Sequence, residues 1–341
     1  MKPTSPAPGY AFISLPERVD RQPRPPHAAH DRRHEATYSG TLRLTWLAEQ
    51  PIHIGTGFKR LVGDRNARAI LREHARLGDV PCIPGSSLKG VLRARFEAVT
   101  HSCFDPPKHD VRVKIRSSTF NERGITHAIL NADAVRGFER TCRSPGPLCP
   151  ACALFGALNL RSRLVVTDAR PAAPTLDSYT IPEQFVPNLH HVGRLRVRES
   201  DNVLEIQRLH GRKFAVGRDE RPPPSNYAHA AAQRQAQPQR LEVLPVGTHL
   251  HSELRYTNLT TAELGGLLAA LGLAPRSRLK IGGGKCHGLG RLFLAEHTHR
   301  PRGKHDDEPL DLDGCAHAFA RSPACQAANL ARLVALHGED C

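Results

Sequence analysis

The chain has 341 residues with 48 Lys+Arg against 33 Asp+Glu, a formal net charge of +15. Its 39% apolar and 24% charged composition is that of an ordinary globular protein, which excludes collagen-like, coiled-coil and wholly disordered chains. The charge excess makes a polyanion the first expected partner. Only 5% of residues are aromatic, so phosphate contacts should dominate any nucleic-acid binding.

Met1 to Tyr10 holds one Lys, three prolines and no apolar run, and the most apolar stretch, Leu264 to Leu273, is too short and too interrupted by glycine to cross a bilayer. A cytoplasmic protein without a membrane partner is expected, its nine cysteines being thiols or metal ligands rather than disulfides. Residues 1–37, rich in Pro, Arg, His and Asp, read as an extended N-terminal arm. Gly40 to Leu47 then alternates Leu42, Leu44 and Trp46 with polar partners, as a first core strand does. A turn containing Gly55 and Gly57 follows.

Pro84-Gly85-Ser86-Ser87 opens a helix in which Leu88, Leu92, Phe96 and Val99 recur at helical spacing, with Ser86 or Ser87 as N-cap and Lys89 and Arg93 on the other face. Val111 to Arg116 predicts a strand with Arg112, Lys114 and Arg116 on one side. Arg194, Arg196 and Arg198 repeat the device around Leu195 and Val197. Leu164 to Thr167 and His249 to Thr257 read as strands, Thr260 to Leu273 as a helix capped by Thr260 or Thr261, and Gly290 to Leu294 as a closing strand. The order predicts an α+β fold, a ferredoxin-like βαββαβ core. One domain over 38–294 is expected, with long insertions at 101–156 and 187–240 and a tail, 295–341, ending in a short helix from Pro323 to His337. The larger insertion holds ten Lys+Arg and five Asp+Glu and reads as a basic hairpin followed by a flexible Gln/Ala-rich segment.

Three constellations carry chemistry. Gly282-Gly283-Gly284-Lys285-Cys286-His287-Gly288-Leu289-Gly290-Arg291 has so little side-chain bulk that backbone N–H groups can approach phosphate, while Lys285, His287 and Arg291 supply charge and donors. It is not a Walker motif. The Pro-Gly-Ser-Ser helix start offers free N–H groups and a positive dipole end. Cys149-Pro150-Ala151-Cys152 is a CxxC that could grip Zn²⁺ with Cys142 as third ligand and Cys103 or His101 as fourth. A thioredoxin-like role is disfavoured because this CxxC is read in a Pro-rich loop, not at a helix start. His53, beside the Gly55/Gly57 turn, could face the same groove as the Gly-rich run.

Together, Ile83-Pro84-Gly85-Ser86-Ser87-Leu88-Lys89-Gly90, Cys149-Pro150-Ala151-Cys152-Ala153-Leu154-Phe155-Gly156, Leu244-Pro245-Val246-Gly247-Thr248 and the Gly282 to Gly290 loop resemble the CRISPR-associated RAMP superfamily. More narrowly, they are similar to the backbone subunit of type III and type IV effector complexes, over about Gly40 to Leu294. The resemblance implies an RRM-like domain stacked in helical filaments along a CRISPR guide RNA, a thumb hairpin at 187–240 that interrupts pairing with a complementary target nucleic acid, and further effector subunits in an antiviral ribonucleoprotein. It also implies contacts to the guide from the helix start and the Gly-rich loop, and raises the expectation of structural zinc. The RNA-binding residues expected are His53, Lys59, Arg60, Ser86, Ser87, Lys89, Arg93, Arg112, Lys114, Arg194, Arg196, Arg198, Gly282, Gly283, Gly284, Lys285, His287, Gly288 and Arg291.

Type III relatives carry a target-cleaving Asp before the Pro-Gly-Ser-Ser helix; the matching position here is Ala67, with Asp64 the nearest carboxylate. Alanine can neither hold a metal nor assist a 2′-hydroxyl, so a type IV-like subunit that does not cut is expected. The alternatives are a type III subunit cutting with Asp64, a guide-precursor endoribonuclease using His53 or His287, and a zinc-stabilised RNA-binding module outside CRISPR systems.

Overall fold

The computed structural model describes residues 9–63, 69–104, 113–114, 124–125, 127–131, 142–181, 192–216, 239–302 and 309–338. Asp64, Ala67, Arg112 and the Gln/Ala-rich segment lie outside the described residues.

The chain opens with β1 (Tyr10–Ile13) and enters the core through β2 (Tyr38–Ala48). A hairpin of β3 (Gly55–Val62) and β4 (Ala69–His74) and a ribbon of β5 (Arg76–Leu77) and β6 (Val80–Pro81) lead to helix α1 (Gly85–Val99). Next come β7 (Val113–Lys114), β8 (His127–Leu130), the short helix α2 (Pro150–Phe155), β9 (Leu164–Val166), β10 (Arg170–Pro171) and β11 (Asp177–Ile181). The hairpin of β12 (Gly193–Arg198) and β13 (Val203–Leu209) precedes β14 (Arg212–Ala215) and β15 (Gln239–Val243). The chain closes with β16 (His249–Leu259), α3 (Thr261–Leu271), β17 (Leu279–Lys280), β18 (Arg291–Pro301), α4 (Leu312–Arg321) and α5 (Ala327–His337).

In the central sheet β9, β16, β2 and β18 lie side by side, every neighbour antiparallel. Counted around α1 and α3 these are the second, third, first and fourth strands, the ferredoxin-like order. Alternation on β2 buries Leu42, Leu44, Trp46 and Ala48, and α1 answers with Leu88, Leu92, Phe96 and Val99. Helix α3 starts in a capping box: Glu263 N–H donates to Thr260 Oγ1 at 3.2 Å and Thr260 N–H to the Glu263 carboxylate at 2.9 Å.

Helix α1 starts differently from expectation. Pro84 is its N-cap, with Ser86 and Ser87 inside the first turn, and the Gly85 N–H donates to Asp168 Oδ1 at 2.8 Å. A carboxylate from beyond β9 thus supplies the anion that the helix end favours. Gly85 is required here, because a Cβ would lie 2.1 Å from the Val166 carbonyl oxygen.

The ends of the chain fold back on the core. Strand β18 continues past Leu294 through a bulge and pairs with β2 as far as Pro301, opposite Gly40. Two helices follow rather than one, α5 burying Leu333 and Leu336 and α4 burying Cys315 and Phe319. The arm is anchored by reciprocal N–H···O bonds between Gln22 and Leu148 at 2.9 and 2.8 Å, and by β1 pairing with β14.

The two insertions share one sheet, ordered β12-β13-β8-β7 with β13 and β8 parallel. Leu195, Leu204, Ile206 and Leu209 pack there with Ile125, Ala128 and Leu130. A third sheet, β11-β15-β4-β3, has β3 as an exposed edge. Among the described residues no helix is long and apolar enough to cross a membrane.

Candidate metal centre and nucleic-acid interface

The CxxC does not lie in a loop: Cys149 is the N-cap of α2 and Cys152 lies within its first turn. That placement suits a redox pair, but two more thiols join it, Cys103 from the segment after α1 and Cys142 from the segment before α2. All four are buried, and their sulfurs lie within 4.8 Å of one another, with Cys103–Cys152 and Cys103–Cys149 both at 3.6 Å. Zn–S bonds of about 2.3 Å in a tetrahedron set sulfurs about 3.8 Å apart, so the group fits a single ion such as zinc. His101 is not in the group.

The electrostatics suit a cation. Hydrogen bonding with Cys103 holds the Cys142 thiol well below its ordinary range, brings Cys149 down to about 7 and pushes Cys152 up, while the bond with Cys142 pushes Cys103 up. Without an ion the four thiols share protons; a divalent cation would let all four ionise, leaving a net charge of −2. Two arginines stand beside that charge. Arg93 Nη2 donates to Cys152 Sγ at 3.4 Å and Arg212 Nη2 to the Cys103 carbonyl at 2.6 Å, and both guanidinium groups are held by Glu97 at 2.8 Å. The Cys149 N–H donates to Cys142 Sγ at 3.2 Å.

Between β17 and β18 the chain turns at Gly282, Gly284, Gly288 and Gly290, all with φ between 68° and 86°. A Cβ on Gly282 would lie 2.1 Å from the His53 carbonyl oxygen, and the Gly283 N–H donates to that oxygen at 2.8 Å. The His53 backbone is therefore the seat of the loop. The imidazole also lies against the loop, since a Cβ on Gly283 would meet its Cδ2 at 3.2 Å, but it is 5% exposed and its Nδ1–H donates to the Glu242 carbonyl at 2.7 Å. Burial holds its pKa below the ordinary value, so it is neutral at pH 7. Lys285, Cys286 and His287 form a half-buried turn, in which burial lowers the pKa of both Lys285 and His287. Lys213 of β14 also presses the Lys285 pKa down, bringing a second ammonium to the loop.

The expected RNA-binding side chains divide into two groups. Lys59, Ser86, Arg194 and Arg196 are exposed, Ser87 is half-exposed, and Lys114 lies on β7, the opposite edge of its sheet from β12. Five more have internal partners. Arg60 pairs with Glu242 at 2.8 Å and Glu73 at 3.4 Å, Arg198 with Asp201 at 2.8 Å and Arg291 with Glu49 at 2.9 Å; Lys89 Nζ donates to the Leu164 carbonyl at 3.1 Å, and Arg93 belongs to the cysteine group.

Arg72 and Arg208 were not singled out by the motifs, yet register places them directly opposite Lys59 and Arg194; alternation read on the second limb of each hairpin is the signal for them. The face of β2 and β16 turned away from the helices carries Arg43, Thr45, His251, Glu253 and Arg255, with Glu253 bridging both arginines. Apart from imidazoles such as that of His251, the outward positions of these two strands carry no aromatic ring on which a base could stack.

A family model described as the RAMP superfamily matches residues 48–293. No curated protein matches the chain.

Proposed function

Because the chain belongs to the RAMP superfamily of CRISPR-associated proteins, we propose that it binds a CRISPR guide RNA as the repeating backbone subunit of an effector ribonucleoprotein. The observation that carries this reading is the union of the Gly-rich loop with the β3–β4 hairpin through His53, whose carbonyl seats Gly283 at 2.8 Å. His53 lies two residues before β3, so the loop that carries Lys285 and His287 is anchored at the entry to an exposed strand bearing Lys59. Phosphates would run along this edge, and the β12–β13 hairpin, with Arg194 and Arg196 exposed, would be the thumb.

Copies of the chain stack along one guide, present it to a complementary target and join other effector subunits. Ala67 stands where cutting relatives carry an Asp, which supports a type IV-like subunit that holds the guide without cutting. Zn²⁺ on Cys103, Cys142, Cys149 and Cys152 would be structural, since four sulfurs leave no open position for substrate. Its chemistry is to fix the segments after α1 and before α2 against each other.

Light scattering on a size-exclusion column, with guide RNA added to purified protein, tests the reading. Several copies of the chain per RNA are expected; a protein that remains monomeric with guide present would contradict it. Regularly spaced cuts in a complementary RNA, lost in Asp64→Asn, would move the assignment to a cutting type III subunit.

A further inference from the structure

From Gly55 to Leu61 every residue of β3 is exposed. Register sets Lys59 opposite Arg72 and Leu61 opposite Ile70. Residues two apart on a strand share a face, so these four side chains make one surface: a pair of cations beside a pair of aliphatics. The opposite face is neutralised, Arg60 having both Glu242 and Glu73. Among the described residues neither Lys59 nor Arg72 has a carboxylate partner.

Both halves of this surface are costly in water alone. Like charges directly opposite on neighbouring strands repel, and Leu61 and Ile70, 59% and 57% exposed, leave apolar area uncovered. One occupant removes both costs: a chain with an anion and a flat apolar group in each repeat. The two rows are about 7 Å apart along the strand, within the reach of one nucleotide. The strand that carries Lys59 and Leu61 begins two residues after His53, whose carbonyl seats Gly283 of the loop described above.

We propose that this face holds one nucleotide step of single-stranded nucleic acid, its phosphate bridging Lys59 and Arg72 and its base resting on Leu61 and Ile70. The proposal rests on the RNA-binding reading and names a place for it. The test is a titration of the full-length protein with fluorescein-labelled oligouridine over a range of salt, alongside thermal melting without RNA. Arg72→Gln is expected to melt at or slightly above the wild-type temperature, since a repulsion is gone. It should bind oligouridine roughly tenfold more weakly, with the salt slope reduced by about 0.7, the contribution of one phosphate contact on a single strand. Ile70→Thr should weaken binding without changing the slope.

If Lys285→Ala weakens binding while Arg72→Gln leaves affinity and slope unchanged, this proposal fails and the RNA-binding reading stands. If the wild type binds no RNA, both fail. Altered self-association of RNA-free Arg72→Gln, with RNA binding intact, would make the face a protein contact and overturn the proposal.

Discussion

Arg93 donates through Nη2 to Cys152 Sγ at 3.4 Å, tying the third turn of α1 to the cysteine group. The same guanidinium reaches the Gly156 carbonyl at 3.1 Å and the Glu97 carboxylate at 2.8 Å. A side chain that looks solvent-facing on a helical wheel is thus part of the wall of the candidate metal site. Arg93→Ala should lower stability by about 1–3 kcal/mol, as expected when a charged hydrogen-bond donor is lost, and speed loss of metal to a chelator. RNA affinity should change little. Thermal melting with and without chelator, plus RNA titration, checks the three outcomes together.

The purified protein should carry one zinc per chain by elemental analysis. Cys152→Ser, or prolonged treatment with a strong chelator, should remove it and lower the melting temperature by roughly 10 °C or more, since structural zinc contributes several kcal/mol. A metal-free wild type with an unchanged melting curve after chelation would rule the site out.

Two glycines of one motif should respond in opposite directions. A Cβ on Gly85 would meet the Val166 carbonyl oxygen at 2.1 Å, whereas one on Gly90 has nothing within 4 Å on an exposed helical position. Gly85→Ala should cost about 3 kcal/mol or more, since backbone must move. Gly90→Ala should stabilise by about 0.5–1 kcal/mol. Denaturant melts of the two variants decide it.

Stability should fall with acid below pH 6.5. His74 is held at a pKa of about 4 and His337 at about 3, in both cases chiefly by burial, against 6.5 when unfolded. Both are neutral in the fold: His74 Nδ1 accepts from the Ile54 N–H and its Nε2–H donates to the Cys82 carbonyl. His337 Nδ1 accepts from Arg95, and its Nε2–H donates to the Ala215 carbonyl. Their contribution is complete above pH 6.5 and is lost as pH falls toward 4 and 3, on the order of 3 kcal/mol for His74. His337→Gln keeps an acceptor and a donor but does not titrate. The drop in melting temperature between pH 7.5 and 5 should therefore be smaller in that variant.

The ferredoxin-like order was legible because its signals are local: alternation on β2, helical spacing on α1, and Thr260 with Glu263 three residues on. The four-cysteine group was legible as far as Cys149 and Cys152. Choosing Cys103 over His101 requires knowing how the segment after α1 turns toward α2, which no spacing records. Charge was legible but neutralisation was not. Arg60 and Glu242 are 182 residues apart and meet only because β4 and β15 pair in parallel; Arg291 meets Glu49 only through the pairing of β18 with β2. The cap of α1 failed for the same reason, since Asp168 comes from beyond β9.

The central claim is that this chain carries a guide RNA. The direct measurement is to purify it from cells that transcribe a CRISPR array and sequence the nucleic acid that accompanies it. The account predicts RNA of repeat and spacer sequence that dissociates steeply as salt is raised, and that is reduced in Lys285→Ala. A protein that emerges free of nucleic acid, or with RNA unrelated to the array, would contradict it.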